Sequence, residues 1–484
     1  MSETLASEPQ PKAPKPKGGV FLDPAEPGTS PILIKGARSR RYLTWYTILT
    51  ISITAVWGSV LGIILPNHVQ ILEFGQWFTG ANAGVDLQAL TILQQQVAAG
   101  SATATTDQAA QLELLAGFDA SRAQALAIIT SIGVVLTMIV QPIVGVFADR
   151  TRTRWGRRAP WILFGTVVGG FLLSLLQLAP SIFILGLGFM LAQAVINMAL
   201  GPLTTTVADR MPENRRGVAS ALGGFGNFLG GLIGGLAAGA FFASLGLGLY
   251  FVFGAIVAFV GVMFVLFARD SSSKDLVVDK FNWQEFFVGF TIALRSRNFR
   301  WVWVARILLT FGYAVSTALS LYMLQSYIRP ALSQAEATMT APLLSLASIP
   351  LTLVVLLITG KVSDKLGRRK IFVIISSVLM AIAMLIPIFV PSLVGLFAQA
   401  IVAGIAFGIY LPVDQALFID VLPDRKAAGR DLGVAGLGSN LGQALGPVLA
   451  GAVVALTGGY VGIWIAAFVL VLLAAVAIFP LKVK

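Results

Sequence analysis

Side chains that could carry a proton or bind a solute stand inside long apolar stretches of this sequence. Asp414 is the clearest case, because it follows Pro412 within the stretch Ile-Tyr-Leu-Pro-Val-Asp-Gln. A charged side chain at the centre of a membrane costs at least about 3 kcal/mol on insertion scales, so it needs a function or a partner. A carboxyl group removed from water also holds a proton more readily, as a proton carrier must. Asp414 is therefore a candidate for proton coupling or solute contact, and a structural ion pair is the alternative.

Uncharged hydrogen-bonding side chains occur at similar depth in the apolar stretches. Together with the aromatic faces of Trp57 and Tyr313, they suit a neutral, hydroxyl-rich solute. The candidate solute-binding residues are Asn67, His68, Gln70, Gln193, Asn197, Tyr313, Tyr322, Gln325, Gln415, Asn440 and Gln443. His68, the only histidine, could equally be a satisfied structural group, and a tyrosine at the end of a span is commonly an interfacial residue. We expect the long side chain of Arg306 to reach the membrane surface.

The elements that position these residues are membrane-spanning helices. The chain of 484 residues is 56% hydrophobic and 12% charged, whereas soluble proteins devote about a quarter of their residues to charge. Its apolar stretches are long enough to cross a bilayer core of about 30 Å at roughly 1.5 Å per helical residue. They lack the alternation of a barrel strand. The sequence predicts an all-α integral membrane protein with twelve spans, near 43–73, 123–148, 160–179, 181–208, 217–243, 248–268, 299–328, 338–362, 370–390, 391–420, 431–455 and 459–480.

The basic residues are distributed unevenly between the two sides of these spans. When the loops are assigned alternately to the two sides, clusters of lysine and arginine collect on one side, and only Arg122 and Arg329 fall on the other. Because cytoplasmic loops carry the excess of basic residues, we expect both termini to be cytoplasmic and the protein to lie in the plasma membrane. The same distribution explains the net charge of +12 without a nucleic-acid partner.

A duplicated pattern runs along the chain. Gly145–Asp149 and Gly360–Asp364 share the spacing G-x-x-x-D, and Asp209 corresponds to Asp420 further on. Six glycines then coincide at a constant offset: 217, 224, 226, 230, 234 and 239 with 429, 436, 438, 442, 446 and 451. Six spans return each copy to the same side, so the pattern predicts two parallel six-helix halves with a site between them near the midplane. The glycines permit close helix approach, although tight packing without motion would explain them equally well.

Gly-Arg-Arg follows each copy of the spacing, at 156–158 and 367–369, and the combined G-x-x-x-D-(R/K)-x-G-R-R pattern resembles the loop motif of the major facilitator superfamily. The resemblance implies the major facilitator fold and a cluster that latches the cytoplasmic helix ends in one conformation. The alternative is a signal that only orients the chain. The residues of this latch are Gly145, Asp149, Arg150, Gly156, Arg157, Arg158, Gly360, Asp364, Lys365, Gly367, Arg368 and Arg369.

A longer match covers spans one to four and is similar to the sucrose-carrier branch of that superfamily, which is related to glycoside–cation symporters. It comprises residues 140–162, the segment Leu-Pro-Asn-His-Val-Gln at 65–70, and Asn-Met-Ala-Leu-Gly-Pro at 197–202. This resemblance implies a proton-coupled carrier of a sugar or glycoside. Plant sucrose carriers have an acidic residue in place of Gln193 and an arginine in place of Thr204. The resemblance therefore does not extend to their coupling charges.

The expected organisation is a disordered cytoplasmic tail at 1–40, a six-helix half at 41–268, a cytoplasmic linker at 269–298 and a second half at 299–484. The polar loop 75–121 lies on the other side of the membrane and contains a plausible short helix around 86–98, as either a lid or an insertion.

The sequence lacks the motifs that would indicate other classes of function. There is no cysteine and a single histidine, so we expect no metal site and no cofactor, and no H-E-x-x-H, G-x-S-x-G or P-loop motif indicates an enzyme. We expect a monomer whose partners are a small-molecule substrate, a coupling proton and the bilayer. The alternatives are an exporter of an amphipathic compound and a receptor-like relative that does not transport.

Overall fold

The computed structural model describes residues 21–22, 28–34, 36–277, 291–423 and 428–481, and these residues are almost entirely helical. The helices of the N-terminal half are α1 (Ala37–Ser59), α2 (Leu65–Trp77), α3 (Leu87–Ala98), α4 (Thr106–Arg150), α5 (Ala159–Leu175), α6 (Ile182–Arg210), α7 (Glu213–Leu245) and α8 (Leu249–Phe267). Those of the C-terminal half are α9 (Arg297–Thr317), α10 (Ser320–Ser326), α11 (Gln334–Leu366), α12 (Arg369–Phe389), α13 (Leu393–Asp420), α14 (Ala428–Thr457) and α15 (Val461–Ile478).

Ten helical segments of the described chain are long and apolar enough to span a membrane, or eleven if α9 and α10, bent by 42°, count as one span. The longest segment, Glu213–Phe267, contains both α7 and α8, which meet at the tight turn Gly246–Gly248. The described residues are therefore consistent with twelve spans. Between α1 and α2 the chain forms a π-helical turn, Val60–Ile64, just before Pro66. Proline cannot donate the backbone hydrogen bond that would continue the α-helix, so the hydrogen-bonding pattern changes there.

The duplicated glycines pack equivalent helices together in the two halves. A Cβ atom on Gly230 of α7 would lie 2.0 Å from the Thr54 hydroxyl of α1, and one on Gly442 of α14 would lie 2.2 Å from the Thr310 hydroxyl of α9. Since 230 and 442 are paired positions of the sequence repeat, the same close contact occurs twice. Glycine is required at both because a side chain would separate the helices.

The last glycine pair has a different role. A Cβ on Gly239 would lie 2.9 Å from the Thr338 carbonyl of the other half, and one on Gly451 would lie 2.7 Å from Ala127, also of the other half. Both contacts lie near the end of the bundle that carries α3, here called the α3 end. The opposite end carries the arginine-rich α4–α5 and α11–α12 loops and is here called the basic end. The two halves thus meet closely at the α3 end.

The chain before α1 differs from the expected disordered tail in its described part. Residues 21–22 and 32–33 form a two-stranded antiparallel sheet, Leu33 is buried, and Ser30 donates a 2.8 Å hydrogen bond to Asp270. Part of the proposed tail is therefore fixed to the start of the linker. Residues 1–20, 23–27 and 35 of the tail and 278–290 of the linker lie outside the described residues.

Candidate functional site

A cavity lies between the two halves near the middle of the bundle. It consists of two adjoining chambers of about 240 Å³ and 200 Å³, which share the lining residues Ser320, Ala341 and Ser345. The smaller chamber is lined on the N-terminal side by Trp57 and by the glycine-rich face of α7, and the larger chamber is lined mostly by α9, α11 and α13. A mostly apolar cavity with a few hydroxyl and amide groups suits a small polar solute.

Two of the aromatic residues singled out in the sequence line this cavity, Trp57 in one chamber and Tyr313 in the other. Sequence reasoning missed Gln399, which is 8% exposed and lines the larger chamber with Trp464. Gln399 stands within the apolar stretch of α13, so the criterion that selected Gln193 applies to it as well. The cavity thus offers a buried amide and five aromatic side chains, since Phe228 and Phe407 also line the larger chamber.

A buried network centred on Arg122 closes the α3 end. The guanidinium donates from Nη1 to Gln70 of α2 at 2.9 Å and to Gln325 of α10 at 3.0 Å, and from Nη2 to Ser326 at 2.7 Å. It forms an ion pair with Asp119 at 2.6 Å. Arg122 is only 2% exposed, and in a medium of low dielectric such charge-assisted hydrogen bonds are strong. One side chain therefore ties the N-terminal half to the C-terminal half.

Arg122 was expected to be a loop residue, and that expectation is wrong. Helix α4 begins at Thr106 with a capping box and reaches Arg122 in its fifth turn, whereas the apolar stretch begins only at residue 123. The preceding turns are polar and Ala-rich, so hydropathy does not reveal them as part of the helix.

Three further hydrogen bonds join the halves beside Arg122. Asn67 donates from Nδ2 to the Thr338 hydroxyl at 3.1 Å and accepts from Gln334 at 2.8 Å. The Tyr322 hydroxyl donates to the Pro66 carbonyl at 2.8 Å, and the Tyr322 ring lies 4.4 Å below the Arg122 guanidinium. Four predicted solute-binding residues, Asn67, Gln70, Tyr322 and Gln325, therefore belong to this closure.

Helix α3, expected around 86–98 and found at Leu87–Ala98, packs across the closure. The Gln88 amide donates to the Ala331 carbonyl at 3.1 Å, and the Gln95 amide donates to the Ile328 carbonyl at 2.9 Å. Both acceptors belong to the α10–α11 loop of the C-terminal half. Because α3 belongs to the N-terminal half, it acts as a strap that would have to detach before this end could open.

Replacing both Gln88 and Gln95 with alanine should loosen this strap. Loss of two hydrogen bonds at about 1 kcal/mol each would raise the fraction of detached α3 by roughly thirtyfold. Hydrogen exchange of the α3 amides measures this change directly. Gln96→Ala is the matched control, because Gln96 lies on the same helix with an exposed side chain. Equal exchange in the double variant and the control would contradict the strap.

The glycines at the basic end are packed less closely than those at the α3 end. The hydrogen bonds described above that join the two halves lie at the α3 end. A Cβ atom placed on Gly145 or Gly224 of one half, or on Gly433 or Gly436 of the other, would meet nothing within 4 Å. The bundle is therefore tightly joined at the α3 end, whereas these four glycine positions at the basic end adjoin open space.

Asp414 forms a buried ion pair with Arg306 of α9, and the Arg306 guanidinium lies 3.9 Å from the ring centroid of Phe418. Asp414 is 5% exposed and Arg306 is 4% exposed. The expectation that Arg306 reaches the membrane surface is therefore wrong, because an acidic partner on a distant helix holds it inside. Tyr313, Phe407 and Tyr410 form a row of aromatic contacts from the cavity towards this pair.

The residues of the proposed latch form corresponding ion pairs within each half. Arg158 binds Asp149 at 2.5 Å and Asp209 at 3.0 Å, and Arg369 binds Asp364 at 3.3 Å and Asp420 at 2.6 Å. Arg157 adds a 2.5 Å contact to Asp209. These contacts fasten the ends of α4 and α6 to the start of α5, and the ends of α11 and α13 to the start of α12. None of these pairs crosses between the halves.

The other latch positions contribute in different ways. Gly156 and Gly367 have φ values of 88° and 61°, which glycine adopts without strain. The side chains of Lys365 and Arg368 are exposed and that of Arg150 is half-buried. Gly360 packs at 3.8 Å from Pro412.

The remaining predicted solute-binding residues lie away from the cavity lining. His68 is buried within the N-terminal half against Tyr250. Asn197 donates to the Gln193 carbonyl at 2.8 Å and accepts from Gln141 at 3.2 Å, between α4 and α6. The side chains of Gln415 and Gln443 are exposed, and that of Asn440 is half-buried.

The sequence is similar to known transport proteins. The pattern of the family described as MFS/sugar transport protein matches residues 120–481. The lactose permease of Lactobacillus helveticus is 48% identical over 42 residues, which cover 9% of this chain and 7% of the permease. The inner membrane symporter YicJ of Escherichia coli is 36% identical over 74 residues, 15% of each chain. The chain thus spans only 7% to 15% of the length of these curated relatives.

Two solved structures resemble the whole bundle. The nucleoside transporter NupG aligns with a TM-score of 0.64 over 92% of this chain and 100% of its own, at 13% identity. A bacterial homologue of the human lysosomal transporter Spinster, in an inward-facing and unoccupied conformation, aligns with a TM-score of 0.61 over 92% of this chain and 98% of its own, at 16% identity. At these identities the likeness concerns the fold.

Proposed function

The chain belongs to the MFS/sugar transport protein family, whose members are secondary membrane transporters and not enzymes, and we propose that it carries a small neutral polar solute, a sugar or glycoside, together with a proton. The observation that best supports this proposal is the cavity between the halves, together with the hydrogen-bonded closure of the bundle at its α3 end. A cavity accessible from one side at a time is what alternating access requires.

The cavity lining favours an uncharged solute. Its polar groups are hydroxyls, two indole N–H groups and one amide, Gln399, and no charged side chain of the described residues lines either chamber. Trp57, Tyr313 and Trp464 present aromatic faces, on which the apolar face of a sugar ring can stack. A charged substrate would enter this low-dielectric space without a counterion, at a large cost.

The direction of opening follows from the charge asymmetry of the loops. If the basic end faces the cytoplasm, as the excess of arginine and lysine there indicates, both termini are cytoplasmic and the structure is inward-facing. The α3 end with its strap then faces outward. In this state the latch pairs bind within each half, and we expect them to fix the helix ends that must meet when the basic end closes.

Asp414 is the proposed coupling group. It is a buried carboxyl whose partner, Arg306, lies in the same half, and a row of aromatic side chains connects it to the cavity. Proton binding would release Arg306, and in this way the proton could change the packing of α9, which lines the cavity through Tyr313.

Uptake into proteoliposomes tests the function. Accumulation of a sugar or glycoside driven by an imposed pH gradient supports a proton symporter. Exchange without accumulation would instead indicate a facilitator, and no movement of any solute would favour the receptor-like alternative. A thermal-shift screen of the purified protein against sugars and glycosides identifies the solute to use.

Replacing Gln399 with alanine should weaken binding of that solute. Loss of one hydrogen bond to a neutral group is expected to lower the affinity by roughly fivefold. The ligand concentration that gives the half-maximal thermal shift measures this change. Gln76→Ala is the control, because Gln76 is exposed at the end of α2 and does not line the cavity. An unchanged affinity in the Gln399 variant would place the solute elsewhere.

A further inference from the structure

A groove on the outside of the N-terminal half, at the basic end, joins an apolar wall to a basic rim. It has a volume of about 480 Å³ and lies between α5 and α8. Leu163 of α5 and Val262 and Leu266 of α8 form the wall, and Arg154 and Arg269 stand at the rim. The groove is distinct from the cavity between the halves, and no step of the proposed transport uses it.

The two arginines of the rim are available to a ligand. Neither Arg154 nor Arg269 forms an ion pair with another residue in the described part of the chain, and both side chains are exposed. Arg269 donates only from Nε, to the Leu266 carbonyl at 3.2 Å, so its terminal nitrogens remain for other acceptors. Guanidinium groups in this situation bind phosphate oxygens well.

One acidic residue, Asp270, also lies at the rim, but its carboxylate is engaged within the protein. Oδ2 accepts from the Ser30 hydroxyl at 2.8 Å, and Oδ1 accepts from the Ser271 amide at 2.8 Å. The groove therefore keeps a net positive charge, from two cations against one hydrogen-bonded anion.

The position of the groove matches the boundary between lipid and water. Its rim lies where α5 begins at Ala159 and α8 ends at Phe267, so the wall lies within the spans and the arginines lie just beyond them. Trp155 also lines the rim and is 48% exposed, as is typical of an indole at a membrane interface.

We propose that this groove binds one anionic phospholipid, with the phosphate between Arg154 and Arg269 and an acyl chain along Leu163, Val262 and Leu266. A basic pocket between spanning helices recognises the negative headgroup, and the apolar wall accepts the chain. A bound lipid would connect α5 and α8 to the start of the linker. There the Ser273 hydroxyl donates to the Thr151 carbonyl at 2.9 Å. The lipid would in this way stabilise the attachment of the linker to the N-terminal half.

Native mass spectrometry of the full-length protein in detergent tests the site with two probes, phosphatidylglycerol and phosphatidylcholine of the same chain length. The wild-type protein should retain one phosphatidylglycerol more tightly than phosphatidylcholine. The double variant Arg154→Gln/Arg269→Gln should bind phosphatidylglycerol roughly twenty-five-fold more weakly, since each basic residue near a membrane surface contributes about fivefold. Arg154→Lys/Arg269→Lys should retain most of the affinity.

The control is Arg40→Gln/Arg41→Gln, which removes two exposed charges at the same end but outside the groove. Equal loss of phosphatidylglycerol in the control and the groove variant would overturn the site, because it would show a general charge effect. Equal retention of both lipids by the wild type would overturn it as well. Displacement of the lipid by millimolar inorganic phosphate would assign the arginines to a free anion and reject the lipid.

Discussion

Replacing Asp414 with asparagine is expected to abolish proton-driven accumulation of the solute while exchange of solute across the membrane continues. The variant keeps the size of the side chain but removes its ability to bind and release a proton, so an imposed pH gradient has no group to act on. Proteoliposome uptake with and without a pH gradient measures the two activities separately. Asp107→Asn, an exposed carboxylate at the start of α4, should behave like the wild type.

The single variant also leaves Arg306 buried without its partner, which destabilises a protein by about 3–5 kcal/mol. The double variant Asp414→Asn/Arg306→Gln removes both charges and separates the two roles of the pair. If Asp414 couples transport to protons, the double variant folds, exchanges the solute and still fails to accumulate it. Uphill accumulation by either variant would show that Asp414 does not couple transport to protons. If only the double variant accumulated the solute, the ion pair would have a structural role.

The sequence was sufficient to predict the architecture, because the hydropathy of each span and the repeated motifs can be recognised without knowing which residues make contact in the fold. The all-α membrane fold and the superfamily are confirmed. The paired positions of the repeat also make equivalent contacts. Asp209 forms an ion pair with Arg158 in the first half, and Asp420 forms one with Arg369, the equivalent arginine, in the second. Gly239 and Gly451, another repeated pair, both contact the opposite half.

The site was less predictable, because it depends on partners that are distant in the chain. Nothing near Arg306 indicates that Asp414, 108 residues later, will hold it inside. Similarly, the polarity of Asn67 and Gln325 suggested solute binding, but only the structure shows that Thr338 and Arg122 occupy their amide groups. A polar residue deep in an apolar stretch is predictably buried. Its position in the sequence does not show whether it lines a cavity or forms hydrogen bonds that close one end of the bundle.

Arg122 is the residue whose loss should change the conformation most. Its three hydrogen bonds reach α2 and α10, and two of them cross between the halves. These bonds exist only while the α3 end is closed, so they stabilise that state, which we propose to be inward-facing, relative to the outward-facing one. Removing the guanidinium also leaves Asp119, which is 9% exposed, without its ion pair as long as that end stays closed. Opening the α3 end would return Asp119 to water.

Arg122→Gln is therefore expected to populate the outward-facing state. A loss of about 3 kcal/mol from the closed state would shift the ratio of the two states by roughly a hundredfold. Because the chain has no cysteine, pairs of introduced cysteines can carry spin labels. The distance between labels at Gln76 and Leu456, at the α3 end, should lengthen, and that between Arg152 and Leu366, at the basic end, should shorten. Arg329→Gln, an exposed arginine near the α3 end, is the matched control. Distances that remain those of the wild type in Arg122→Gln would show that the network does not hold the α3 end closed.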